Sequence, residues 1–157
     1  MTNVSELVLA ASVVSSLVIG GVYFTFSGFV MQSLAQSGDA GREAMISINH
    51  VILRSTFMPL FFGSTILAAI CGLMGLWRLD ELSGWLMLAG SVTFVVGMFG
   101  VTAAFNVPLN NQLIQTPDAV WPEYLTTWTA WNHLRTAACV VAGSLFLAAI
   151  LTEGASR

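Results

Sequence analysis

A short stretch of the sequence, WTAWNHLR at 128–135, places aromatic, amide and ionisable side chains at the start of an apolar segment. If this stretch is helical, Trp128, Asn132 and Arg135 share one face of the helix. His133 lies about 100° further round. Because imidazole titrates near neutral pH, His133 is a natural acceptor for a proton from a weakly acidic carbon or phenol. Neighbouring amide and guanidinium groups could stabilise the negative charge left behind.

A second polar stripe occurs earlier in the chain, where four residues at spacings of 4, 3 and 4 share a helical face: Glu43, Ser47, His50 and Arg54. An ionisable residue within a membrane segment costs about 2.5–3.5 kcal/mol and usually faces an interior or a water-filled cavity. We therefore expect His50 and Arg54 to face the same pocket as His133 and Arg135. Alternatively, the two arginines could extend to the membrane surface or pair with nearby carboxylates.

Further candidates for this pocket are an asparagine group after the third apolar segment and an aromatic residue in the first. Asn106 adjoins the apolar segment and is the better pocket candidate, whereas Asn110 suits either the pocket or a helix end. Tyr23, Trp128 and Trp131 could stack on a planar ligand. The two tryptophans also fit the aromatic belt of a membrane interface.

The sequence carries no signature of a metal or nucleotide cofactor. It contains no HxH, HxxxH or ExxH spacing and no nucleotide or flavin motif, so we expect no cofactor. Two histidines on separate helices could still bind haem or copper, which leaves His50 and His133 as a minority alternative. The absence of lysine and the presence of only five arginines exclude a basic nucleic-acid patch.

The composition is that of a membrane protein, because 56% of the 157 residues are hydrophobic and only 8% are charged. Charge-free segments at 7–38, 55–77, 82–117 and 136–152 separate the charged residues. About 20 apolar residues cross a bilayer. We therefore predict four spans, at about 7–35, 42–77, 85–105 and 125–151.

The connections between the predicted spans are mostly short, so sequential helices should be antiparallel neighbours. We predict an all-α integral membrane protein that forms one domain over 1–157, an up-down-up-down four-helix bundle. In this topology the polar residues at the end of the first span, the start of the second, the end of the third and the start of the fourth meet at one membrane face. We expect a bacterial cytoplasmic membrane location and leave a homo-oligomer open.

Four segments together resemble the membrane-bound anthrone oxygenase family, over nearly the whole chain. They are GGVYFTFSGF (20–29), GREAMISINHVILRSTFMPLFF (41–62), FNVPLNNQL (105–113) and WTAWNHLR (128–135). The resemblance implies a small four-span membrane protein. Some fungal and bacterial members of this family oxidise polyketide anthrones to anthraquinones with molecular oxygen.

The leading hypothesis is therefore a monooxygenase acting on a planar, apolar phenolic substrate and dioxygen. His133 or His50 would be the base, and the charge-stabilising residues would be Arg135, Arg54, Asn106 and Asn132. The substrate-binding residues would be Tyr23, Trp128, Trp131 and Asn110. The alternatives are a non-enzymatic membrane module that binds an apolar ligand or a partner protein, and a haem- or copper-binding redox protein.

Overall fold

The computed structural model describes residues 3–155, and these residues form helices without any strand. The first half of the chain contains four α-helices and a π-helical segment at Phe26–Val30. The α-helices are α1 (Asn3–Thr25), α2 (Met31–Gln36), α3 (Gly38–Ile52) and α4 (Phe57–Leu76). The second half contains α5 (Leu82–Phe94), two π-helical segments (Val95–Gly100 and Thr102–Asn106), α6 (Val107–Gln115) and α7 (Pro117–Ala155).

Within the described part of the chain, four helical stretches are long and apolar enough to cross a membrane: Val4–Gln36, Phe57–Leu76, Leu82–Gln115 and Pro117–Glu153. Within them, α1, α4, α5 and α7 pack in a closed ring, each against two neighbours. The predicted all-α bundle with four spans is confirmed.

Small residues set the distances between these helices. Gly72 of α4 faces Ser91 of α5, and Gly90 of α5 faces the ring of Phe146 on α7. A Cβ at either glycine would lie less than 3.0 Å from its neighbour. Such close approach lets the helices gain van der Waals contact in lipid, where hydrophobicity cannot drive their association.

The prediction of one continuous helix over 42–77 is wrong, because the chain breaks at 53–56. The hydroxyl of Ser55 accepts a hydrogen bond from the Phe57 amide at 3.2 Å, which satisfies a free amide at the start of α4. Pro59 lies in the first turn of α4, where its missing N–H is not needed. As a result α3 lies outside the four candidate spans.

The region from 106 to 124, which lies between the third and fourth predicted spans, is also mostly helical. Pro108 lies in the first turn of α6, and Pro117 begins α7 after a break at Thr116. Both prolines occupy positions that tolerate a missing N–H. The fourth span therefore begins eight residues before the predicted start at 125.

One cluster of buried apolar residues lies inside the four-helix ring. A second cluster covers one end of the bundle, and we call it the cap core. Its buried residues come from α2, α3, α6 and the first turns of α7: Met31, Met45, Leu113, Trp121, Tyr124 and Trp128. Arg42 ties α3 to α7 through a 2.5 Å ion pair with Asp118. The cap core therefore holds α3 over the end of the four-helix ring.

The turn between α2 and α3 brings two backbones into direct contact. Gly38 adopts a φ of 57°, a left-handed conformation that glycine accepts without steric cost. At Gly41, an added Cβ would lie 1.8 Å from the Leu34 carbonyl oxygen. This backbone contact cannot be relieved by rotating a side chain.

We expect Gly41→Ala to destabilise the protein by at least about 1–3 kcal/mol, because overpacking against the Leu34 backbone forces α2 and α3 apart. Thermal melting of the purified protein in detergent would measure the loss. Gly63→Ala is the matched control, since a Cβ at Gly63 meets nothing within 4 Å. Equal melting temperatures for the two variants would contradict this account of the turn.

Candidate active site

A cavity of about 340 Å³ lies between the four-helix ring and the cap core. Its volume falls within the roughly 300–1,000 Å³ typical of small-molecule sites. Most of its wall is apolar, and the polar groups come from five side chains: Tyr23, Asn49, Thr102, Asn110 and Arg135, with the indole of Trp128 beside them. Segments from all four spans and from α3 therefore contribute to one chamber.

Phenylalanine rings form one wall of the cavity. Phe61 contacts Phe57, Phe62 and Phe99 with ring centroids 6.1, 5.3 and 5.6 Å apart. Leu53 and Phe62 also line the cavity, yet they are 65% and 50% exposed. The cavity therefore opens at an apolar mouth on the outer surface of the bundle.

Among the described residues that line the cavity, Arg135 alone carries a formal charge, and it is only 4% exposed. Its guanidinium donates hydrogen bonds to Asn132 Oδ1 at 2.5 Å and to Thr102 Oγ1 at 3.3 Å. The guanidinium carbon lies 4.2 Å from the ring centre of Tyr23 and 5.1 Å from that of Trp128. Cation–π contact of this kind stabilises a desolvated cation.

Arg135 nevertheless lacks two of its normal partners. No carboxylate lies within ion-pair distance of it in the described part of the chain. Its Nε is buried and makes no hydrogen bond to any described residue. A buried cation without a counter-ion is costly, so the site is electrostatically suited to an anion.

Asn132 fixes the position of Arg135 against the first span. It is completely buried, and its Nδ2 donates to the Tyr23 carbonyl at 2.6 Å and to the Ser27 hydroxyl. Ser27 lies within the π-helical segment Phe26–Val30. Such segments often occur at functional sites. The two other π-helical segments supply Phe99 and Thr102 to the same cavity.

Asn110 forms the second polar group of the cavity. Its Oδ1 accepts hydrogen bonds from Trp128 Nε1 and from the Tyr124 hydroxyl, both at 2.8 Å. Because the indole N–H of Trp128 can only donate, the amide orientation is determined, and the Asn110 atom left for a ligand is the Nδ2 donor. Asn106 lies behind this group, where its Nδ2 donates to the Trp128 carbonyl at 3.3 Å.

A match to a known protein family shows which family the chain belongs to. The family model described as anthrone oxygenase matches residues 54–145, which is more than half of the chain. This chain belongs to the anthrone oxygenase family. The match includes α4, α5, α6 and the Asn132–Arg135 group, so the resemblance noted in the sequence is confirmed. Together with the four candidate spans, it makes the chain a multi-pass membrane protein.

No curated protein and no solved structure matches the chain significantly. Within this anthrone oxygenase family member, the site must therefore be assigned from its own geometry.

The two histidines do not meet in the cavity, which corrects the expectation that they converge. His50 and His133 are both exposed, and neither lines the cavity. His50 belongs to a stripe that is exposed throughout, whereas the opposite face of α3 carries the buried Gly41, Met45 and Asn49. The four residues do share one helical face, as expected. That face points outward and not into the cavity, because α3 lies outside the candidate membrane spans.

Arg54 and Trp131 also lie outside the cavity lining. Arg54 is exposed in the break between α3 and α4. Trp131 stacks on Phe105, with ring centroids 3.8 Å apart and planes 9° apart. Of the ten predicted site residues, four line the cavity and two support these from behind. The lining residues are Tyr23, Asn110, Trp128 and Arg135, and the supporting residues are Asn106 and Asn132.

Asn49 is a cavity residue that the sequence prediction missed. It is only 7% exposed and lies beside the Tyr124 hydroxyl, but its Nδ2 completes no hydrogen bond within the described residues. Its position between Met45 and Ile52 was the available signal, because a polar residue in the middle of an apolar helical face is unusual.

The residues that line the cavity do not fit haem or copper bound by histidine. The lining contains no imidazole, thiol or carboxylate. In addition, no group of three or more His, Cys, Asp or Glu side chains in the described part of the chain could hold a metal ion. The haem or copper alternative through His50 and His133 therefore has no ligand set in this cavity.

We expect Asn132→Leu to lower the melting temperature of the protein and to weaken the binding of an anionic ligand in the cavity beside Arg135. Leucine has a similar volume but leaves an Arg135 donor and the Ser27 hydroxyl without their partner, at a cost of about 1–3 kcal/mol or more. Melting and ligand titration of the purified protein would measure both effects. His133→Ala, on the exposed side of the same turn, is the control, and equal behaviour of the two variants would exclude a positioning role for Asn132.

Proposed function

We propose that this protein is a membrane-embedded oxygenase that oxidises a planar, apolar phenolic substrate with molecular oxygen in the Arg135 cavity. The observation that carries the proposal is a buried guanidinium, unpaired with any carboxylate of residues 3–155, at the end of a phenylalanine-lined chamber. Membership of the anthrone oxygenase family supports the same class of reaction.

The proposed reaction converts an activated methylene group into a carbonyl. The methylene first loses a proton, and the resulting anion transfers one electron to dioxygen to give a substrate radical and superoxide. These combine through a new C–O bond, and the peroxide is protonated. Loss of the remaining methylene proton then forms the carbonyl as the O–O bond breaks. One oxygen atom enters the product, the other leaves as water, and the substrate supplies all the electrons.

Arg135 would stabilise the negative charge on the substrate oxygen before and during electron transfer. A preorganised donor in a dry cavity stabilises such charge more than water does, since it needs no reorientation. The phenylalanine wall would hold the planar rings by offset or edge contacts. Its apolar surface also suits dioxygen, which is itself apolar.

The first test uses the purified protein in lipid nanodiscs with an anthrone and an oxygen electrode. We expect oxygen uptake, and with ¹⁸O₂ we expect one labelled atom in the product carbonyl. Arg135→Gln should lower kcat by about 10²–10³-fold, as removal of an oxyanion-stabilising donor does elsewhere. Arg135→Lys retains the charge and should be intermediate.

His50→Ala and His133→Ala are the matched controls, because both side chains are exposed outside the cavity. Their rates should stay within about twofold of wild type, as expected for surface substitutions. A large loss in either variant would restore histidine as the base. Tight binding of the anthrone without oxygen uptake would instead support a non-enzymatic membrane module.

A further inference from the structure

The oxidation needs a substrate anion, yet the cavity contains no evident proton acceptor. The lining residues include no histidine, aspartate, glutamate, cysteine or lysine. The hydroxyl of Tyr23 is engaged with Met98 Sδ at 3.5 Å, and that of Thr102 donates to the Met98 carbonyl at 2.7 Å. The substrate anion therefore has to form without a proton-accepting side chain among the described lining residues.

Residues that line the cavity instead carry several unengaged N–H groups. Arg135 Nε and Asn49 Nδ2 are buried without partners among the described residues. The Asn110 amide, held by Tyr124 and Trp128, leaves its Nδ2 for a ligand. These three groups come from α7, α3 and α6, so they approach the cavity from different directions.

No carboxylate of the described residues lies near enough to offset the positive charge of Arg135. The titratable groups that interact with Arg135 are Tyr23, Tyr124 and Cys139, all neutral in their ordinary forms at pH 7. On α3, Arg42 is paired with Asp118, and Glu43 and His50 are exposed. Among the lining residues, α4, α6 and the π-helical segments contribute no titratable group.

From this arrangement we propose that the cavity binds its ligand as the anion, with Asn49 and Arg135 as the two donors that select it, and that the ligand proton leaves to water. The identity of the ligand as a phenol or an enolisable aromatic ketone rests on the proposed function. Anion selection itself does not, because it can be measured with a molecule that cannot be oxidised.

Asn49 is the distinctive part of this proposal. A ligand with a single anionic oxygen could be held by Arg135 alone. A second unpartnered donor on α3 suits a ligand with another oxygen acceptor, such as a quinone-type carbonyl. The substrate class is therefore an aromatic molecule that carries one ionisable oxygen and a second, carbonyl-type oxygen.

The test uses 2-hydroxyanthraquinone, a planar, non-oxidisable probe whose phenol and phenolate absorb at different visible wavelengths. Absorbance is followed against pH with the protein in nanodiscs and with empty nanodiscs. Lipid alone should raise the pKa of the probe, because an apolar medium disfavours the anion. The protein should lower it by roughly 1–3 units, as an opposite charge within a few ångströms does.

Two variants test the role of Asn49, and a third is their control. Asn49→Leu should abolish part of the downward shift, and the isosteric Asn49→Asp should reverse it, because a carboxylate would repel the phenolate. Ser47→Ala, on the exposed face of the same helix, is the control and should leave the shift unchanged. If Asn49→Leu fails to fold, the Asn49→Asp variant still gives the decisive comparison.

An unchanged or raised probe pKa in the wild-type protein would overturn the inference, even if an anthrone were oxidised. Equal shifts in the wild type and Asn49→Asp would remove Asn49 from recognition and overturn the two-donor assignment. A lowered probe pKa without oxygen uptake from any anthrone would support anion binding while refuting the proposed function. The two proposals therefore fail separately.

Discussion

The structure depends on how the buried charge of Arg135 is held. Arg135 forms no ion pair with a carboxylate of the described residues and is supported by Asn132, Thr102 and two aromatic faces. Neutral hydrogen-bond partners and ring quadrupoles reduce the cost of burial without cancelling the charge. An aspartate beside Arg135 would have stabilised the site and neutralised its positive charge. The arrangement instead preserves a positive potential in the cavity, at the expense of stability.

The hydrogen bonds that hold Arg135 in place continue into the helices of the cap core. Asn132 connects Arg135 to α1, while Asn106 and Asn110 connect the Trp128 turn to the π-helical segment Thr102–Asn106 and to α6. Most of these contacts are amide hydrogen bonds between helices that are distant in sequence. Hydrogen bonds around the cavity therefore join the helices of the cap core to the four-helix ring, although the buried apolar clusters of these two parts are separate.

Much of the fold could be predicted from the sequence, because charge-free segments and span length follow directly from the cost of placing charge in lipid. The inward face of α7 was also predictable, since Trp128, Asn132 and Arg135 lie on one continuous helix. The orientation of α3 was not. Periodicity shows that Glu43 and His50 share a face, but whether that face is buried depends on the break at 53–56 and on the neighbours of Asn49. The π-helical segments have no simple sequence pattern, so the shape of the cavity could not be predicted either.

The exposed, apolar mouth formed by Leu53 and Phe62 has a consequence for how any ligand is supplied. A molecule that reaches the cavity from the acyl chains is drawn from a two-dimensional reservoir whose content is set by its partition coefficient. Its occupancy of the protein then follows its mole fraction in the bilayer rather than its total amount per litre. Diluting the same sample with extra lipid would empty the cavity, whereas diluting it with buffer would hardly change its occupancy.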